Sequence, residues 1–189
     1  MSSPLTPSFQ PAELSPEQSA WLERFVRAIP DYPQPGILFR DITPLLQNAE
    51  ALRFTIETMA ARYRNAHIDQ VVGIESRGFI FGTPLAFLLG TGFVPVRKKG
   101  KLPARTIAQD YSLEYGTATL EVHTDAVRPG QRVLVVDDLL ATGGTTEGTT
   151  RLMERLGATV VSLAFLIELA DLRGRSRLPG YDVFSLLTF

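Results

Sequence analysis

Val133-Leu134-Val135-Val136-Asp137-Asp138-Leu139-Leu140-Ala141-Thr142-Gly143-Gly144-Thr145 is the stretch whose reading decides the fold. An apolar strand over Arg132–Val136 runs into two adjacent carboxylates, then a loop of small residues, then a helix expected over Thr145–Leu156 with Gly157 as its C-cap. Strands that are apolar throughout and alternate with helices build parallel sheets covered on both faces. In such sheets ligands lie beyond the carboxyl ends of the strands, where this loop must sit. Small residues let backbone N–H groups approach an anion closely, and the following helix adds its positive end. Thr142 and Thr145 add hydroxyl donors, so Ala141, Thr142, Gly143, Gly144 and Thr145 suit a sugar phosphate. Asp137 and Asp138 would repel that phosphate and suit the paired hydroxyls of its ribose instead. A single aspartate at a strand end would mean only an ordinary strand–loop–helix; the whole run says more. It lacks the lysine of a GxxxxGK[ST] loop, and no GxGxxG follows a strand.

Working outward, Gln70–Ile74 and Ala158–Leu166 are β-branched runs, and a Gly-bounded apolar segment reaches Leu89 before Phe93–Val96. Thr117–His123 alternates, as a half-exposed hairpin strand does. A helix is expected over about Asn48–Tyr63, with Leu52, Ile56, Met59, Ala60 and Tyr63 on one side. Ser15-Pro16-Glu17-Gln18 reads as a capping box opening a first helix, whose apolar face is Leu22, Phe25, Val26 and Ile29. The prolines of Pro30–Gly36 end it. Residues 1–14 read as a loose arm, and residues 15–189 as a single α/β domain, a parallel sheet flanked by helices.

Length and composition agree. At a prior of about 150 residues per domain, 189 residues make one domain, large enough to fold without metal or disulfide. Nineteen Lys and Arg against 20 Asp and Glu leave a net charge of −1, so no global field draws nucleic acid or an anionic membrane. With no cysteine there is no thiolate nucleophile, disulfide or Cys-based metal site, which fits a reducing cytoplasm. His67 and His123 form no paired-ligand pattern and read as surface or packing residues. No apolar run reaches the roughly 20 residues that a membrane helix needs, and the N-terminus does not read as a signal peptide.

The run 133–145 resembles the phosphoribosyl-pyrophosphate signature of type I phosphoribosyltransferases. Three further segments narrow the likeness to the adenine-specific branch: Pro35–Pro44, Glu75-Ser76-Arg77-Gly78-Phe79, and Arg97–Pro103 with Tyr111–Gly116. The ending Phe184-Ser185-Leu186-Leu187 belongs to the same likeness, which spans nearly everything after residue 15. It implies a small N-terminal hood over about residues 30–45 and a flexible β-hairpin lid over about 97–116. The implied reaction joins adenine to 5-phospho-α-D-ribose 1-diphosphate, giving AMP and pyrophosphate.

The resemblance also assigns roles. Ser76 and Arg77 would bind pyrophosphate from a loop that holds a cis peptide in many relatives; from the residues alone this is a helix cap with a solvent-facing arginine. Lys98, Lys99 and Lys101 would hold the same group, although taken alone they read rather as a solvated basic loop than as an anion site. Leu38, Phe39 and Arg40 would frame adenine, chiefly through main-chain groups, with Phe39 either stacking on the base or entering the core. Glu114 would accept a proton or hydrogen bond from the purine, with Arg77 as the other catalytic group and Tyr115 as a secondary candidate; an exposed strand glutamate is the alternative. Mg²⁺ is expected on the substrate, with Asp137 and Asp138 reaching it at most indirectly. The family forms homodimers. Three alternatives stay open: another base specificity on the same phosphate loop, a regulatory module that binds the diphosphate sugar without turnover, and a plain structural α/β domain.

Overall fold

The computed structural model describes Phe9, residues 13–112 and residues 117–189. In chain order the elements are α1 (Pro16–Glu23), β1 (Arg27–Ile29), β2 (Phe39–Asp41), α2 (Thr43–Gln47), α3 (Ala49–Tyr63), β3 (Gln70–Ile74), α4 (Gly78–Leu89), β4 (Gly92–Lys98), β5 (Thr106–Ser112), β6 (Thr117–His123), β7 (Arg132–Leu140), α5 (Gly144–Arg155), β8 (Thr159–Glu168) and β9 (Val183–Thr188). Two short 3-10 turns, Ala170–Leu172 and Gly174–Arg177, join the last two strands.

The main sheet has the order β5-β6-β4-β3-β7-β8-β9. Strands β4, β3, β7, β8 and β9 are parallel, and the β5–β6 hairpin adds antiparallel to β4. The expected α/β class is met: a mostly parallel sheet with helices on its faces. Side-chain alternation sorts the core into two layers. Val71, Leu134, Val136, Ala164 and Leu166 face α1, α3 and α4, whereas Val72, Val135, Leu163 and Phe165 face α5 through Leu152 and Met153.

Strand order reverses between β3 and β7. The chain leaves β3 through α4 toward β4, and leaves β7 through α5 toward β8 in the opposite direction. Two loops therefore diverge from neighbouring strand ends and open a crevice between them.

The first helix is shorter than its periodicity predicts. It stops at Glu23; Phe25 N–H and Val26 N–H bond three residues back to Leu22 and Glu23, and Arg27–Ile29 becomes β1, paired antiparallel with β2. Ile29 precedes Pro30, which disfavours helix there, while Leu22 and Val26 still enter the core. Strand β7 is longer than expected. It runs through both aspartates to Leu140, because β8 pairs alongside as far as Glu168. Of the stretch expected as a loose arm, Phe9 stacks edge-on against Tyr63 at 5.9 Å. No helix among the described residues is long and apolar enough to cross a membrane.

Candidate active site

A cavity of about 500 Å³ opens at the crevice between β3 and β7. Ser76, Arg77, Lys98, Asp137, Asp138 and Thr145 line it, so six of the residues singled out from the sequence converge there. Glu75, Tyr111 and Leu139 line it too; each stands in a stretch that carries the family likeness, but none was assigned a role from the sequence.

Two helices point their N-termini at this place, and neither has a side-chain cap. Helix α4 follows Arg77, and α5 follows Gly143, whose φ of 84° lies in the left-handed region that glycine adopts without strain. Uncapped N-terminal N–H groups carry partial positive charge and bind anions readily. Gly78 brings α4 close: a Cβ there would stand 2.7 Å from Val136 O and 3.0 Å from Asp137 Oδ1. The Glu75–Ser76 peptide bond is cis.

Between the helix ends lie the two carboxylates. Asp138 N–H donates to Asp137 Oδ1 at 2.9 Å, and Arg77 Nε stands 2.8 Å from Asp138 Oδ2. That contact is an ion pair without hydrogen-bond alignment, so the buried Oδ2 has no hydrogen-bond partner among the described residues. Burial pushes the Asp137 carboxyl well above the usual carboxylate range, and the neighbouring Asp138 charge adds to the effect. Burial also raises Asp138, with Arg77 opposing it. This pair is poorly solvated, and hydroxyl donors from a sugar suit it.

The basic turn after β4 is tied down by acids. Glu75 Oε2 accepts Arg97 Nε at 3.1 Å and Lys98 N–H at 3.0 Å, and Lys101 Nζ lies 4.0 Å from Oε1. Burial raises the Glu75 carboxyl, but the Lys98 N–H and Arg97 outweigh it and hold it below the usual range. Glu121, buried on β6, accepts Gly100 N–H at 2.9 Å. Lys98 reaches the cavity lining, while Lys99 and Lys101 stand exposed beside it.

On β2, Phe39 faces Arg77, whose Cζ lies 5.7 Å from the ring centroid, and stacks edge-on with Tyr32. Leu38 and Arg40 project into a separate pocket of about 280 Å³, where Arg40 Cζ sits 4.1 Å from the Phe189 ring centroid. Their side chains are thus apart from the main cavity. Ala141, Thr142 and Gly143 form the turn from β7 into α5, and Gly144 is the first residue of that helix. Glu114 and Tyr115 lie outside the described residues. Glu75, just past β3, and Tyr111 on β5 reach the cavity through contacts with neighbouring strands, so their presence in the quoted segments gave them no role. Leu139 had a faint signal, an apolar residue on the same strand directly after the aspartates.

Oxygen donors of the Asp137–Asp138 kind suit a hard cation such as Mg²⁺, which takes a fuller oxygen shell than two carboxylates supply. The residues present therefore fit an ion that arrives with most of its ligands on a phosphorylated substrate.

Comparison with known proteins agrees with this geometry. A phosphoribosyl transferase domain model matches residues 43–188. Adenine phosphoribosyltransferase of Halothermothrix orenii is 57% identical over 166 residues, covering 88% of this chain and 98% of that protein. The crystal structure of adenine phosphoribosyltransferase from Thermoanaerobacter pseudethanolicus superposes with a TM-score of 0.88 at 52% identity, covering 90% of this chain and 99% of that one. The Saccharomyces cerevisiae adenine phosphoribosyltransferase, crystallised with an imino-altritol bisphosphate and adenine, gives 0.85 at 40% identity, covering 89% and 98%. The chain belongs to the phosphoribosyl transferase family, within its adenine phosphoribosyltransferase branch.

Proposed function

We propose that this chain performs purine salvage, condensing adenine with 5-phospho-α-D-ribose 1-diphosphate to give AMP and pyrophosphate. One observation carries the reading beyond family membership: two uncapped helix N-termini flank a buried aspartate pair in one cavity. The α5 end takes the 5′-phosphate on Ala141, Thr142, Gly143, Gly144 and Thr145, and Asp137 and Asp138 take the ribose hydroxyls. The α4 end, with Ser76, Arg77, Lys98, Lys99 and Lys101, takes the diphosphate. A sugar with phosphate at one end and diphosphate at the other spans both.

In the reaction the C1′–O bond to diphosphate breaks as adenine N9 bonds to C1′, and N9 gives up its proton. Positive charge spreads from C1′ to the ring oxygen. The chain's contribution is positioning two substrates and stabilising the departing diphosphate with preorganised cations and N–H groups. Glu114 is the proposed proton acceptor. Residues 97–116 act as a lid that excludes water from the reactive sugar, on a single domain of residues 15–189. Asp137 and Asp138 would reach a Mg²⁺ carried on the diphosphate sugar at most indirectly, and the ion would supply charge neutralisation for the leaving group. Phe39 gives the base an aromatic neighbour, while Leu38 and Arg40, their side chains turned away, offer main-chain donors and acceptors within the hood of residues 30–45.

Ile80, Phe87 and Leu88 fall on one exposed side of α4, and we assign this apolar face to a homodimer contact. The cysteine-free composition fits a cytoplasmic setting.

A base-panel assay with the diphosphate sugar, with and without magnesium, tests the activity. Pyrophosphate release with adenine and at most about 10⁻⁴ of that rate with hypoxanthine, guanine, xanthine or orotate is the expected result, because a site built on hydrogen bonds to one base rejects the others. Faster turnover of another base contradicts the adenine reading, and binding without release contradicts the enzyme.

A further inference from the structure

The two 3-10 turns between β8 and β9 pack directly against the turn from β7 into α5. Gly174 is buried, and a Cβ on it would stand 2.3 Å from Ala141 O. Reciprocally, a Cβ on Gly143 would stand 2.6 Å from Gly174 O. The two backbones therefore meet more closely than any side chain at these positions permits.

What fixes Gly174 is its neighbour. Arg175 grips Glu168 as a two-pronged pair, Nε to Oε1 at 2.7 Å and Nη2 to Oε2 at 2.6 Å. Its Nη1 donates to Val183 O at 2.7 Å, and Ser185 Oγ donates to Glu168 Oε2 at 2.7 Å. Glu168 is the parallel register partner of Leu140, the last residue of β7, and Leu169 N–H donates to Leu140 O at 3.0 Å. The clamp is thus anchored on the strand end from which the phosphate turn departs. Arg173 sits at φ 51°, a left-handed conformation that a residue with a side chain keeps where its surroundings impose it.

We propose that Arg175, clamped by Glu168, is a positioning residue for the sugar phosphate: through Gly174 it braces the Ala141–Gly143 turn and sets the aim of that turn's N–H groups. The proposal rests on the reading that residues 141–145 hold the 5′-phosphate. A half-exposed ion pair by itself contributes little to stability. This one has a buried carboxylate, fork geometry and three elements joined through it, β8, β9 and the turn.

The readout is the ratio of AMP to adenosine affinity, measured by calorimetry well below the melting temperature. That ratio isolates the phosphate grip, which a general loss of stability does not move. R175Q and E168Q should each lower it about tenfold with adenosine affinity unchanged, the scale of a sub-ångström displacement of donors. The double variant should be no worse than either single one. R175K, which loses the fork but keeps the charge, should fall between. If R175Q does not fold, R175K and E168Q give the same reading. Folded variants with an unchanged ratio, or with both ligands weakened equally, overturn the proposal. Thr145→Val separates the two levels. If it lowers the ratio and the clamp variants do not, only the bracing role falls. If the parent enzyme itself binds AMP no better than adenosine, the phosphate reading and the bracing role fall together.

Discussion

Burial of Asp137 beside Asp138 makes ionisation of the pair unfavourable, with consequences for pH dependence. A carboxyl whose folded pKa is raised binds more protons folded than unfolded. The fold therefore loses stability as pH climbs from the ordinary carboxylate range, about 3.9, through the raised folded value. Asp137→Asn removes this penalty and keeps an oxygen to accept the Asp138 N–H. The variant should melt higher than the parent at pH 7.5, with the gap closing near pH 4, while its KM for the diphosphate sugar rises at least about tenfold. Thermal melts at the two pH values and steady-state kinetics check both halves. A lower melting point at pH 7.5 contradicts the strained-pair account. At this scale the aspartates and the small-residue turn were legible because they are contiguous in sequence. Glu75, Tyr111 and the Glu168–Arg175 clamp were not, because their partners lie elsewhere in the chain and only strand register brings them together.

Helix α4 meets β7 at Gly78, where the backbone approach leaves no room for a methyl group. Gly78→Ala should push the start of α4 away from Asp137 and carry Arg77 with it. Overpacking of this kind costs about 1–3 kcal/mol. Urea denaturation should show that loss, and kinetics should show a raised KM for the diphosphate sugar. Unchanged stability and KM contradict the close docking. Periodicity predicted α3, and Gly157 marked the end of α5, its φ of 84° confirming the cap. It overextended α1, because Phe25 and Val26 keep their helical spacing of apolar contacts while Ile29 yields to Pro30 and strand pairing. The 3-10 turns gave no signal, since they exist through the clamp and the buried Gly174 rather than through a local repeat.

At the scale of the whole molecule, the reversal of strand order between β3 and β7 gathers groups from distant parts of the chain into one crevice. Alternating apolar runs and helices predicted the parallel sheet, but the strand order was not legible, because burial patterning is the same whichever central strand is the neighbour. That order sets one uncapped helix end from each side of the aspartate pair. The most direct test is a crystal structure of the enzyme with AMP bound. The account predicts phosphate oxygens within hydrogen-bond distance of main-chain N–H groups in residues 142–145, with the ribose hydroxyls on Asp137 and Asp138. A nucleotide lodged elsewhere, with that turn empty, contradicts it.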